Sequence, residues 1–261
     1  SFGLLFGDNR RDVMVIFVHD GSFEGLLTAI YEAYYRGERP DAIVSRNCLQ
    51  TGFLDSYLFI ETEQEKAARV YDSVKRKISA NALDNAYLVH LSGLEDSGTI
   101  VYRYLRLGWK MGPGVDSHLS DDRVMNAHKI SSRVDREMNR MKGFVRFSLL
   151  EGGIYYAPIK PAYNITGLLA PHFAERLAGQ NWAIHDTARD IAAVCCGGKW
   201  VLLDNLAEHL PGFAKEEAEY RLLWKEFFDS IAISSRTNLR LQKALIPRRY
   251  RRNLTEFTTL R

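Results

Sequence analysis

After Pro247, four arginines (Arg248, Arg249, Arg251 and Arg252) surround one aromatic residue, Tyr250. A guanidinium is a planar fork that donates two hydrogen bonds at once to a phosphate. A tyrosine among arginines can stack on a base or sugar, as aromatic residues do in single-strand binders. The same residues can equally form a solvated tail, or pair with acids elsewhere in the chain. A second basic series lies upstream. Lys129, Arg133, Arg136 and Arg140 recur at i, i+4, i+7 and i+11, which puts them on one face of a helix. Lys142 and Arg146 continue the series, and Asp135 and Glu137 interrupt its surroundings. A charged helix face is ordinarily solvation; joined to the arginine tract it would make one electropositive groove. Two His–Asp neighbours offer a different chemistry, general acid–base work. His185 and Asp186 have Arg189 and Asp190 close by, and His19 and Asp20 open the stretch His-Asp-Gly-Ser-Phe-Glu. On a strand, neighbouring side chains leave on opposite faces. Asp186 is therefore as well suited to closing a turn, and Asp20 and Glu24 to a helix N-terminus.

Charge and composition narrow the classes. Residues 236–261 carry eight arginines and lysines against one acid, Glu256, in a chain of net charge +3. The rest is mildly acidic, which points to a local anionic partner rather than general stickiness. Apolar residues make up 46% and charged residues 26%, as in an ordinary folded domain. No apolar run approaches the ~20 residues that span a bilayer, so no membrane contact is expected. The opening residues lack the layout of a secretory signal. Three cysteines (Cys48, Cys195 and Cys196) make a poor disulfide framework, and a reducing cytoplasm is expected. No C-x-x-C, H-E-x-x-H or G-x-x-x-x-G-K-[ST] occurs, so no metal or cofactor is indicated. Met111–Asp116 resembles a phosphate-binding hairpin turn between helices, but Asp116 would repel phosphate.

The elements that must position these residues follow from apolar spacing. Residues 13–20 read as a buried strand. In the next helix Phe23, Leu26, Leu27, Ile30, Tyr31 and Tyr34 share one face. Further helices are expected near 63–78, 82–91, 99–107 and 121–141, the last with Val124, His128, Val134, Met138 and Met141 inward. From Gly143 the pattern changes. Residues 144–159 form two β-rich runs around Glu-Gly-Gly, a hairpin. A helix at 164–177 and three short strands follow, then helices near 215–231 and 237–245. The reading is one α+β unit: a mainly helical lobe over 13–142, an antiparallel ββαβββ sheet over 143–205, and C-terminal helices with a basic tail over 206–261.

Several stretches together carry a family resemblance: His-Asp-Gly-Ser-Phe-Glu-Gly-Leu-Leu, residues 103–109, the run from His128 to Phe147, residues 154–165, and residues 181–194. Over about residues 14–257 the chain resembles the bacterial family described as "probable DNA metabolism protein". Its members accompany a radical-SAM protein assigned to DNA modification or repair, and are sometimes fused to a uracil-DNA-glycosylase-like domain. No stretch of these 261 residues resembles that domain, so its activity is not expected of them, and His19 stands where tyrosine often begins the first motif. The resemblance implies an accessory in DNA repair or modification with a radical-SAM partner, and supplies no catalytic residues. The nucleic-acid candidates are Lys129, Arg133, Arg136, Arg140, Arg146, Arg248, Arg249, Tyr250, Arg251 and Arg252. If the protein is instead an enzyme acting on a nucleotide or damaged base, His185, Asp186 and Asp20 are its candidates. A protein-binding scaffold is the third reading.

Overall fold

The computed structural model describes residues 14–37, 39–49, 55–206, 217, 223 and 246–255. The chain divides into two units, Ser1–Ser132 and Arg133–Arg261. In the first, β1 (Val15–His19) lies between β2 (Ala42–Ser45) and β3 (Ser56–Phe59), and both pairings are parallel. The sequence pattern puts one strand here; the structure has three. Strands of four residues hold too little periodicity to stand out, and pairing to β1 is what makes them strands. Phe17 on β1 aligns with Ile43 and Leu58, and Phe17 and Ile43 are fully buried. Each such side chain contributes roughly 1.5–3 kcal/mol of burial.

Ser22 accepts a hydrogen bond from the Gly25 amide and so starts α1 (Phe23–Tyr35). Leu26, Leu27 and Ile30 enter the core, as their spacing predicts, whereas Tyr34 is exposed. The helices α2 (Gln64–Lys77), α3 (Ala80–Leu91) and α4 (Ser97–Met111) complete the unit. At Gly98 a Cβ would stand 2.5 Å from the Ile43 carbonyl oxygen, so α4 rests directly on β2. The Thr99 hydroxyl accepts from the Ile43 amide at 3.0 Å and donates to its carbonyl at 3.2 Å. This closes the backbone of an edge strand. Met111–Asp116 is an interhelical turn in which the Asp116 carboxylate takes hydrogen bonds from Tyr104, Asn81 and His128.

The helix α5 (Asp122–Phe144) begins in the first unit and ends in the second. The second unit's sheet runs β4 (Ser148–Leu150), β5 (Ile154–Ile159), β6 (Trp182–Asp186), β7 (Ile191–Cys196) and β8 (Lys199–Asp204), in that spatial order. Gly152 and Gly153, at φ of 88° and 79°, make the expected β4–β5 hairpin. The sheet is not wholly antiparallel: β5 and β6 pair in parallel. The reason is α6 (Thr166–Arg176), whose crossover returns the chain in the same direction. On β7, Cys195 is buried and its neighbour Cys196 is exposed. A short helix, α7 (Arg248–Arg251), carries the arginine tract. Apart from Glu217 and Leu223, the helices expected near 215–231 and 237–245 lie outside the described residues. With seven α-helices, a parallel sheet and a mixed sheet among those residues, the architecture is mixed α/β. No described helix is long and apolar enough to cross a membrane.

Candidate functional site

Glu137 is 6% exposed. Its carboxylate accepts the Ala162 amide and the Tyr163 amide, each at 2.9 Å. It also accepts the Arg249 guanidinium at 2.9 Å and the Tyr250 hydroxyl. One side chain of α5 thus holds both the loop after β5 and the arginine tract. Arg133 is four residues before Glu137 and Arg140 three after, so both flank it on the same side of the helix. The arginine tract is therefore held by an acid that sits within the basic series of α5. Tyr250 is buried against Phe144, with the Arg249 guanidinium 4.9 Å above its ring. Burial and the Glu137 carboxylate push its hydroxyl up to about 12. Tyr250 anchors the tract and offers no open face for a base. Arg249 loses some charge preference to burial, but Tyr250 and Glu137 more than offset this and raise its pKa.

The loop is clamped from its other side as well. Arg189 donates to the Pro161 and Ala162 carbonyls and to Asp186 at 2.7 Å. Thr187 donates to the Ile159 carbonyl from both its amide and its hydroxyl. These bonds set Lys160 and Thr187 beside Arg248, Arg249, Arg252 and Asn253, around one cavity of ≈ 300 Å³. Among the described residues the lining holds four cations and no carboxylate. Among the described residues no acid pairs with Lys160, Arg248 or Arg252. Arg251 turns aside, its Nε donating to the Ile246 carbonyl. Lys142, Arg146 and Arg176 line a second basic cavity of ≈ 190 Å³ with Phe147 and Phe173. Arg133, Arg136 and Arg140 are exposed along α5; Lys129 is exposed too, but belongs to the first unit. Lys160, Thr187, Arg176 and Asn253 are not singled out by the sequence. Its one signal was Lys160, set between Pro158 and Pro161 at the end of a β-rich run.

The His–Asp neighbours separate as strand geometry requires. His185 is 3% exposed, with Nδ1 at 2.8 Å from the Tyr156 hydroxyl and Nε2 at 2.7 Å from Asp190. Both ring nitrogens are occupied. Asp186 instead closes the β6–β7 turn, accepting the Ala188 amide at 3.0 Å and the Arg189 guanidinium. Asp20 belongs to the first unit. Its carboxylate accepts the Ser22 amide and hydroxyl and, from beyond β3, the Thr62 hydroxyl at 2.8 Å. These hydrogen bonds outweigh its burial and hold its carboxyl below the usual range. A Cβ at Gly25 would lie 2.3 Å from the Asp20 carboxylate and would push it out of its hydrogen bonds. Asp20, Ser22 and Gly25 thus build the β1–α1 turn together. His19 accepts the Gly21 amide at Nδ1, so its neutral ring carries its proton on Nε2.

A family model described as a domain of unknown function, DUF4130, matches residues 95–256. The chain belongs to the DUF4130 family. No curated protein matches it. In this DUF4130 chain the matched segment runs from the loop before α4 through α7, and so contains every residue of both basic cavities.

Proposed function

We propose that this DUF4130 protein binds nucleic acid through its second unit, as an accessory in DNA repair or modification beside a radical-SAM enzyme. One observation carries the binding: Lys160, Arg248, Arg249 and Arg252, from separate parts of the chain, line a single cavity to which no described carboxylate contributes. Arg249 is paired with Glu137, but Lys160, Arg248 and Arg252 have no acid partner among the described residues; their mutual repulsion is what a polyanion relieves. Phosphate oxygens would accept from the arginine forks and the lysine ammonium, and Thr187 and Asn253 add neutral donors. The exposed arginines of α5, near the carboxylate that anchors α7, would add further phosphate contacts. The DNA-repair setting and the partner come from the sequence resemblance.

The test is a fluorescence-anisotropy titration of the full chain with single- and double-stranded DNA at two salt concentrations. Affinity should fall steeply with salt, and both Lys160→Glu and Arg252→Glu should weaken it. Binding that ignores salt, or no binding, overturns the reading. Co-purification with the radical-SAM protein checks the partner.

A further inference from the structure

A different cavity, in the first unit, has chemistry the basic cavities lack. It measures ≈ 200 Å³ and is lined by Tyr31, Tyr34 and Tyr35 of α1, Arg69 and Lys77 of α2, and Trp109 of α4, among others. The first turns of α1 bury their apolar face, but the last turn leaves Tyr34 70% and Tyr35 68% exposed. Two neighbouring aromatic rings at that exposure forgo the burial that stabilises the rest of the helix. The rings are already ordered. Tyr35 stacks on Tyr31 with centroids 4.3 Å apart and planes at 25°. Tyr34 stands 6.2 Å from Trp109, whose indole N–H is held by the Ser73 hydroxyl at 3.1 Å. Arg69 reaches the Tyr31 hydroxyl at 3.5 Å, and no carboxylate among the described residues lines the cavity.

We propose that this cavity holds one unstacked nucleobase, with Arg69 and Lys77 taking its phosphate. Rings alone would suit an apolar side chain, and cations alone an inorganic anion. Aromatic faces with cations at the same cavity suit a flat π-system that carries negative charge. The volume is below the ~300–1,000 Å³ of sites for drug-sized ligands, which fits a single base. The site lies in the other unit from the basic cavities and requires no contact by Arg248–Arg252, so it stands or falls separately from polyanion binding.

The fluorescent base 2-aminopurine tests this, because its emission drops when it stacks on an aromatic ring. Two probes are titrated with the full chain: its free deoxyribonucleoside 5′-monophosphate, and a short single strand carrying it centrally. Quenching of the free nucleotide is required. Quenching of the strand as well marks a base within a chain as the ligand, and quenching of the free form alone marks a nucleotide. The double substitution Tyr34→Ala/Tyr35→Ala should raise the Kd for the mononucleotide about tenfold, with circular dichroism unchanged. If that variant loses its fold, Lys77→Glu serves instead, with an expected weakening of about tenfold. Lys160→Glu should leave mononucleotide binding unaltered. No quenching of the free nucleotide, or quenching unaffected by either α1/α2 variant, overturns the proposal. A strand that binds while the free nucleotide stays unquenched sinks this site and leaves the basic surface standing; a quenched nucleotide without strand binding does the reverse.

Discussion

Glu137 receives four hydrogen bonds from two segments remote from α5. Removing it leaves two backbone amides, a buried phenol and a guanidinium without their acceptor. Glu137→Ala should cost about 3–5 kcal/mol, because several buried donors lose their acceptor at once, whereas Tyr250→Phe, which deletes one hydroxyl, should cost about 1 kcal/mol. Urea unfolding of the two variants measures both; equal losses would show that the carboxylate is not the hub. A second residue-scale effect follows from pH. Burial, with a smaller push from His19, lowers His90 to about 4, and burial lowers His19 too. Between pH 6.5 and about 4 the unfolded chain binds the His90 proton and the folded chain does not. Stability from this neutral ring is therefore complete above pH 6.5 and is lost as pH falls towards 4. His90→Gln should show a shallower acid slope in urea midpoints than the parent; an unchanged slope refutes the assignment.

At the scale of elements, the loop after β5 is fixed by its amides to Glu137 and by its carbonyls to Arg189. Arg189→Ala should destabilise by about 1.5–3 kcal/mol, and should weaken DNA binding by freeing Lys160 although Arg189 does not line the cavity. Lost stability with intact affinity would mean that the loop's placement does not matter to binding. Gly98→Ala should cost about 1–3 kcal/mol by forcing α4 off β2, read by the same unfolding assay. These elements also show what sequence can reveal. The β1–α1 turn was legible because apolar spacing, a Ser cap and glycines all agree locally. The β4–β5 hairpin was legible from Glu-Gly-Gly. The strands β2 and β3 were not, since four residues between turn-formers become a strand only by pairing with β1. The parallel β5–β6 pairing was implicit in a strand–helix–strand order, yet hairpins on either side suggested otherwise. The arginine tract was plain, but Lys160, its partner in the cavity, is remote in sequence and arrives only through Glu137 and Arg189.

For the whole molecule, net charge is a poor guide, because +3 conceals a strongly basic terminal segment on a mildly acidic remainder. Contact of the four cavity cations with single-stranded DNA predicts a log–log salt slope of about −3, and losing Lys160 should reduce its magnitude by about 0.7. Anisotropy titrations across several salt concentrations give the slope directly, and a slope indifferent to Lys160→Ala would remove that lysine from the interface. The adjoining thiols of β7 yield a last use. An alkylating reagent given to the native protein should tag Cys196 promptly, while Cys195, paired in register with Trp182 and Trp200, must wait until neighbouring strands part. Peptide mass mapping over time would turn that lag into a stopwatch for how often the sheet breathes.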